Sequence, residues 1–194
     1  DVYKRQGLAF AHAEDDIKNI AENMYLYRAQ MGLKEGSSGA VIDYLIKALK
    51  IRERVKEQYE MVLTEKVREV IEAYALGLNY WMVKNPNNKY KKHFPFTSED
   101  IVAGFAIQNL LFSGVVTSIQ SLEKLEGSSN QSFSQLFKND DLVIGSNAYA
   151  INSSKSADGS TRLMINSHQP LEGPLAWYEA HIKSEEGLNM MGGL

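Results

Sequence analysis

"DLVIGSNAYAINSSKSADGST", residues 141–161, is where the chain changes character. A short apolar run ends in Gly145-Ser146-Asn147, a triplet that normally marks a turn. Directly after it, Ala148, Ala150 and Asn152 alternate with Tyr149 and Ile151, the period of two of a β-strand. The triplet therefore stands where a strand should already be under way. Two readings are open from the residues alone: a bulge in a hairpin, or a place where the chain is cut.

Toward the C-terminus the β pattern continues. "SADGS" (156–160) carries an Asp-Gly turn signal, and "TRLMIN" (161–166) returns as a second strand. "AWYEAHIKS" (176–184) and "GLNMMGG" (187–193) read as two more. Toward the N-terminus, "GSSNQSFSQLFKNDD" (127–141) has no sustained period and reads as a linker.

Everything before that linker is helical in pattern. Residues 12–31 are rich in helix formers and close at Gly32. In 39–61, Val41, Leu45, Ala48, Arg52 and Val55 share one face. In 64–84, Val67, Val70, Ile71, Tyr74, Leu78 and Trp81 follow the helical repeat, with Thr64 as N-cap and Pro86 just beyond the end. Thr97, with Asp100 three positions on, resembles an N-cap arrangement for a helix expected to reach about Leu125. The expected fold class is α+β: a helical region over 7–126, a spacer over 127–145, and strands from 146 to 194. "DVYKRQ" (1–6) is unlike the rest of the chain and reads as a non-native leader. The other end stops inside a strand and turn, so the chain is expected to be a fragment of a precursor.

Composition narrows the function classes. With 194 residues and 44% hydrophobic, the chain can bury a sizeable core. A net charge of -3 and a pI near 5.9 offer no general attraction to nucleic acid or anionic membranes, and neither is an expected partner. The least polar run, "GFAIQNLLFSGVV" (104–116), is too short for a bilayer. Without cysteine there are no disulfides and no thiolate metal sites.

A Gly-Ser pair at the edge of a strand can support one particular chemistry. The serine hydroxyl attacks the preceding carbonyl, and the ester so formed is hydrolysed, leaving Ser146 as a new N-terminus. Glycine tolerates strained backbone and leaves its carbonyl open to attack. The freed α-amine has an unperturbed pKa of roughly 7.7–8.0. One residue then supplies both nucleophile and general base. Gly-Ser pairs are common, however, and spacing alone favours an ordinary turn.

The flanking motifs shift the balance. Residues 145–193, with Gly-Ser-Asn, a Gly-containing turn, a segment reaching His168, then Trp177-Tyr178-Glu179 and a Gly-rich strand end, resemble the start of the β chain of penicillin acylase-type N-terminal-nucleophile amidohydrolases. "GLAFAHAEDD" (7–16), "AYALGLN" (73–79) and "FTSEDIV" (96–102) are similar to the α chain of that family. The resemblance covers residues 7–194 and implies an αββα sandwich, of which only the first strands would be present.

It implies roles as well. Ser146 would be the nucleophile and, after cleavage at Gly145–Ser146, the α-amine base. His168 would contact the nucleophile hydroxyl or its water, and Asn147 would secure the new N-terminus. Leu111 and Phe112 would fall on the helix lining the acyl pocket. The oxyanion hole would lie beyond Leu194, so the fragment alone is expected to be inactive. Calcium is bound in some relatives by an acidic residue, where this chain has Ile119 or Gln120, so neither calcium nor any other cofactor is expected.

The substrate implied is a small acyl amide, either a β-lactam side-chain amide or an acyl-homoserine lactone, with His168 leaning toward the latter. The α and β chains of one precursor would be each other's partners, in the periplasm or outside the cell. Two readings of another class stay open: an unprocessed, inactive relative that binds ligands or partners, and a helical interaction domain with an incidental hairpin. The remaining histidines have plainer readings: His12 at a solvated, acidic helix start, His93 in a solvated basic loop, His181 structural on a strand face with Trp177 and Glu179. The Tyr74–Leu78–Trp81 stripe reads as core.

Overall fold

A computed structural model describes residues 2–113, 145–168, 170, 171, 173 and 175–193. They fall into two compact units, one helical and one of strands.

The helical unit starts with α1, Val2–Tyr27, which is interrupted at Asp16 (φ -142°, ψ 43°). The Asp16 carboxylate accepts from the Asn19 backbone N–H at 3.3 Å, so the same residue that breaks the helix caps its restart. A short α2, Gly32–Glu35, leads into α3, Ser37–Ala48, and α4, Ile51–Val62. The single helix expected over 39–61 is thus two. Lys50 takes a left-handed conformation (φ 53°) between them and turns the chain.

Helix α5, Glu65–Lys84, matches its expected span, although the Thr64 side chain makes no capping bond. Helix α6, Ser98–Phe112, opens on a full capping box: Thr97 accepts from the Asp100 N–H, and Asp100 accepts from the Thr97 N–H. Its expected continuation to Leu125 and the linker at 127–141 fall outside the described residues.

Two apolar clusters hold the helices together. Ala9, Ala13, Ile20 and Met24 of α1 meet Leu78, Trp81 and Met82 of α5 and Phe96. Leu26 packs with Ile42 and Ile46 of α3, Ile51 and Val55 of α4, and Ala103 and Ile107 of α6. The stripe of Leu78 and Trp81 is core, as expected. Gly77 sits where α5 crosses α1, and a side chain there would run into the Gln6 backbone and Ala9.

The strand unit holds two antiparallel pairs: β1, Gly145–Ile151, with β2, Arg162–His168; and β3, Glu179–Lys183, with β4, Asn189–Gly193. Helices in one unit and antiparallel strands in the other give the α+β class. Among the described residues the strands form two separate hydrogen-bonded pairs. Gly145-Ser146-Asn147 is strand, not turn.

Candidate active site

The register of β1 on β2 decides what meets the Gly145–Ser146 bond. Asp158-Gly159 as a two-residue hairpin loop would pair 157 with 160, and Ser146 would then face residue 171. The connection is instead the whole of 152–161. Asn152 accepts from the Ser154 N–H at 3.0 Å over a 3-10 turn, Ser153–Lys155. Asp158 then accepts from the Ser160 N–H at 3.1 Å, followed by Gly159 at φ +71°. This longer turn pairs Gly145 with His168, Ser146 with Ser167, and Asn147 with Asn166.

Strand alternation fixes the faces. Gly145, Asn147 and His168 share one; Ser146 and Ser167 share the other. On the first face, Asn147 Nδ2 is 2.9 Å from His168 Nε2. Among the described residues this is the one hydrogen bond to the His168 ring. The ring lies across Gly145, so close that a Cβ at position 145 would be 3.1 Å from Nδ1. On the second face, the Ser146 hydroxyl donates to the Gly145 carbonyl oxygen at 2.7 Å.

The structure thus brings Gly145, Asn147 and His168 into one group and sets the Ser146 hydroxyl against the carbonyl of the bond in question. His168 and Ser146 stand one register step apart, but their side chains leave opposite faces. In the intact chain Asn147 is engaged with His168. Gly145 is not in the left-handed region, so no backbone strain explains the glycine here. Space for the His168 ring does. That contact follows from the register, which the Asp-Gly signal alone would have misplaced.

Other expected residues lie in the helical unit. Leu111, on α6, is half-buried and packs against the Leu26–Ile42–Ile107 cluster, and Phe112 closes the same helix. Positions 119 and 120 lie outside the described residues. Among the described residues no cluster of three acidic or histidine side chains is placed to hold a metal ion. No helix among them is long and apolar enough to cross a membrane.

Two histidines differ from expectation. His12 is not at a solvated helix start: its Nδ1 bonds the Tyr74 hydroxyl across α1 and α5. Burial lowers its pKa to about 4, against the opposing pull of Asp16 and Asp15. His93 is buried and meets Tyr25 edge-on at 4.6 Å, because Arg28 draws the loop inward by bonding the His93 carbonyl at 3.0 Å. Desolvation, then Lys92 and Arg28, push its pKa down. His181, on β3, bonds Asn189 of β4 at 2.7 Å.

The α-chain-like motifs have structural work that spacing did not disclose. Asn79 of "AYALGLN" brackets Phe96, donating to its carbonyl at 2.9 Å and accepting from its N–H at 2.8 Å. Asp100 of "FTSEDIV", 1% exposed, takes Arg28 on both oxygens (3.1 and 2.6 Å) and Arg52 at 2.9 Å. Burial pushes the Asp100 carboxyl up, but bonds from Arg28, Thr97 and Arg52 with the Arg28 charge outweigh it and hold the pKa below the usual range. Arg52, read as part of an apolar helix face, is half of that network.

Sequence comparison extends over both units. Residues 5–194 match the family described as penicillin amidase. The match takes in the bracketed Phe96 loop, the Asp100 network and the Gly145–Ser146 junction alike, so the chain belongs to the penicillin amidase family of amidohydrolases.

Proposed function

We propose that this chain is the processing region of an acylase that hydrolyses a non-peptide amide through an N-terminal serine released from its own backbone. What supports the reading is one end of the β1–β2 pair. There the Ser146 hydroxyl rests on the Gly145 carbonyl at 2.7 Å, and His168 lies across Gly145.

In the first reaction, Ser146 Oγ adds to the Gly145 carbonyl carbon and the Gly145–Ser146 C–N bond breaks. The nitrogen takes up the proton the hydroxyl gives up. Water hydrolyses the resulting ester to a Gly145 carboxylate and a Ser146 α-amine. In the second, that amine accepts the proton of its own hydroxyl as Oγ attacks the substrate amide carbon, then passes it to the leaving nitrogen. Water releases the acyl group from the acyl-enzyme.

Cleavage also removes the peptide that fixes the Ser146 side chain on the face away from His168. A free terminus can rotate, which allows His168 the role of contacting the nucleophile or its water. The substrate class is a small acyl amide, a β-lactam side-chain amide or an acyl-homoserine lactone, and the site is exported to the periplasm or beyond. Leu111 and Phe112 are proposed for the acyl pocket, on resemblance alone.

The full-length gene product is expected to yield a chain beginning Ser-Asn-Ala and to release acid from a panel of acyl amides. A processed protein with no activity on any acyl amide would contradict the acylase half of the reading.

A further inference from the structure

We propose that Asn147 is a positioning residue that sets the tautomer of His168, so that the ring presents a protonated Nδ1 to Gly145. An amide nitrogen only donates, so with the Asn147 amide turned Nδ2-first toward the ring, 2.9 Å away, His168 Nε2 accepts. A neutral imidazole with Nε2 as acceptor carries its proton on Nδ1. Nδ1 is the nitrogen that lies against Gly145, 3.1 Å from where a side chain there would begin.

The pairing is built by the ladder. Residues 145, 147 and 168 share a face because Gly145 is opposite His168 and Asn147 is two residues along. Asn147 therefore reaches the far side of the ring while the missing Cβ at 145 leaves room for the near side. With Nε2 accepting, the ring nitrogen nearest Gly145 is the one that carries the proton. This assigns Asn147 a role through His168, distinct from holding the new N-terminus. The consequence for processing rests on the reading of Gly145–Ser146 as the cleaved bond; the tautomer itself does not.

The experiment uses the full-length Ser146→Ala protein, in which the junction stays intact. Ring ¹⁵N NMR identifies which imidazole nitrogen is protonated, and the signal lost in His168→Gln is that of His168. The expected result is protonated Nδ1 and bare Nε2. Adding Asn147→Ala should abolish that preference. Adding Asn147→Asp, which keeps the shape but can only accept when ionised, should move the proton to Nε2. Asn147 is exposed in this chain, and a cooperative unfolding transition in each full-length variant serves as the folding control.

With Ser146 restored, Asn147→Ala and Asn147→Asp should both slow junction cleavage, by up to about a hundredfold for a misplaced group. A merely structural Asn147 would leave the Asp variant's tautomer and rate unchanged. Protonated Nε2 in the Ser146→Ala protein, or a tautomer indifferent to Asn147, overturns the proposal. Failure of the parent protein to cleave at all would instead sink the processing reading and leave the NMR result standing.

Discussion

At the scale of single residues, Gly145 is the position whose meaning changes most between sequence and structure. Its type is legible in the sequence, and so is its place before Ser146. Its reason is not, because the His168 ring arrives from another strand 23 positions away. A valine at 145 would push the ring off the Gly145 face and off Asn147. Gly145→Val should therefore slow junction cleavage at least several-fold on a denaturing gel, with Gly145→Ala intermediate, since 3.1 Å needs only a small shift of the neighbour. Equal rates in all three would mean that the ring contact plays no part. His12 offers a second test. Its folded pKa of about 4 lies below the ordinary 6.5, so between these pH values the unfolded chain binds a proton the folded chain refuses. Stability should therefore fall as pH drops from about 6.5 toward about 4, by roughly 3 kcal/mol at most, and then level off. His12→Gln should flatten that slope in denaturant titrations; an unchanged slope would place the titrating group elsewhere.

At the scale of elements, helix existence was readable from period while helix breaks were not. The apolar repeat over 39–61 is real, but the left-handed Lys50 splits it, and Arg52 turns to Asp100 and the Tyr27 carbonyl. Nothing in a one-dimensional pattern announces a bond formed over 48 residues. The reverse holds for Thr97 and Asp100, whose local spacing alone foretold the capping box. Asp100 carries both jobs, so Asp100→Ala should cost about 3–5 kcal/mol by thermal or chemical unfolding, since two arginines lose a buried partner at once. A loss under about 1 kcal/mol would show that the pair is as weak as a surface one. Gly77 makes an independent prediction at the α1–α5 crossing. Gly77→Val should destabilise by about 1–3 kcal/mol or more, because backbone stands where the side chain must go.

For the molecule as a whole, the division into helices and then strands was legible because the hydrophobic period switches from helical to two. The arrangement of the strands was not. Their apolar side chains explain why: Tyr149, Ile151 and Met164 are exposed on one face of the β1–β2 pair, Leu163 and Ile165 on the other. A strand pair apolar on both faces takes its layer partners from long-range packing, which local pattern does not encode. The site shows the same limit. Family motifs pointed to Ser146 and His168 as candidates, while the side of the strand each faces came only from the register. The central claim, that Gly145–Ser146 is a processing junction, is tested most directly by intact mass and N-terminal sequencing of the folded full-length gene product beside its Ser146→Ala variant. The parent should yield a new chain starting Ser-Asn-Ala, and the variant one uncut, inactive chain. A folded, full-length parent that keeps the Gly145–Ser146 bond intact would contradict it.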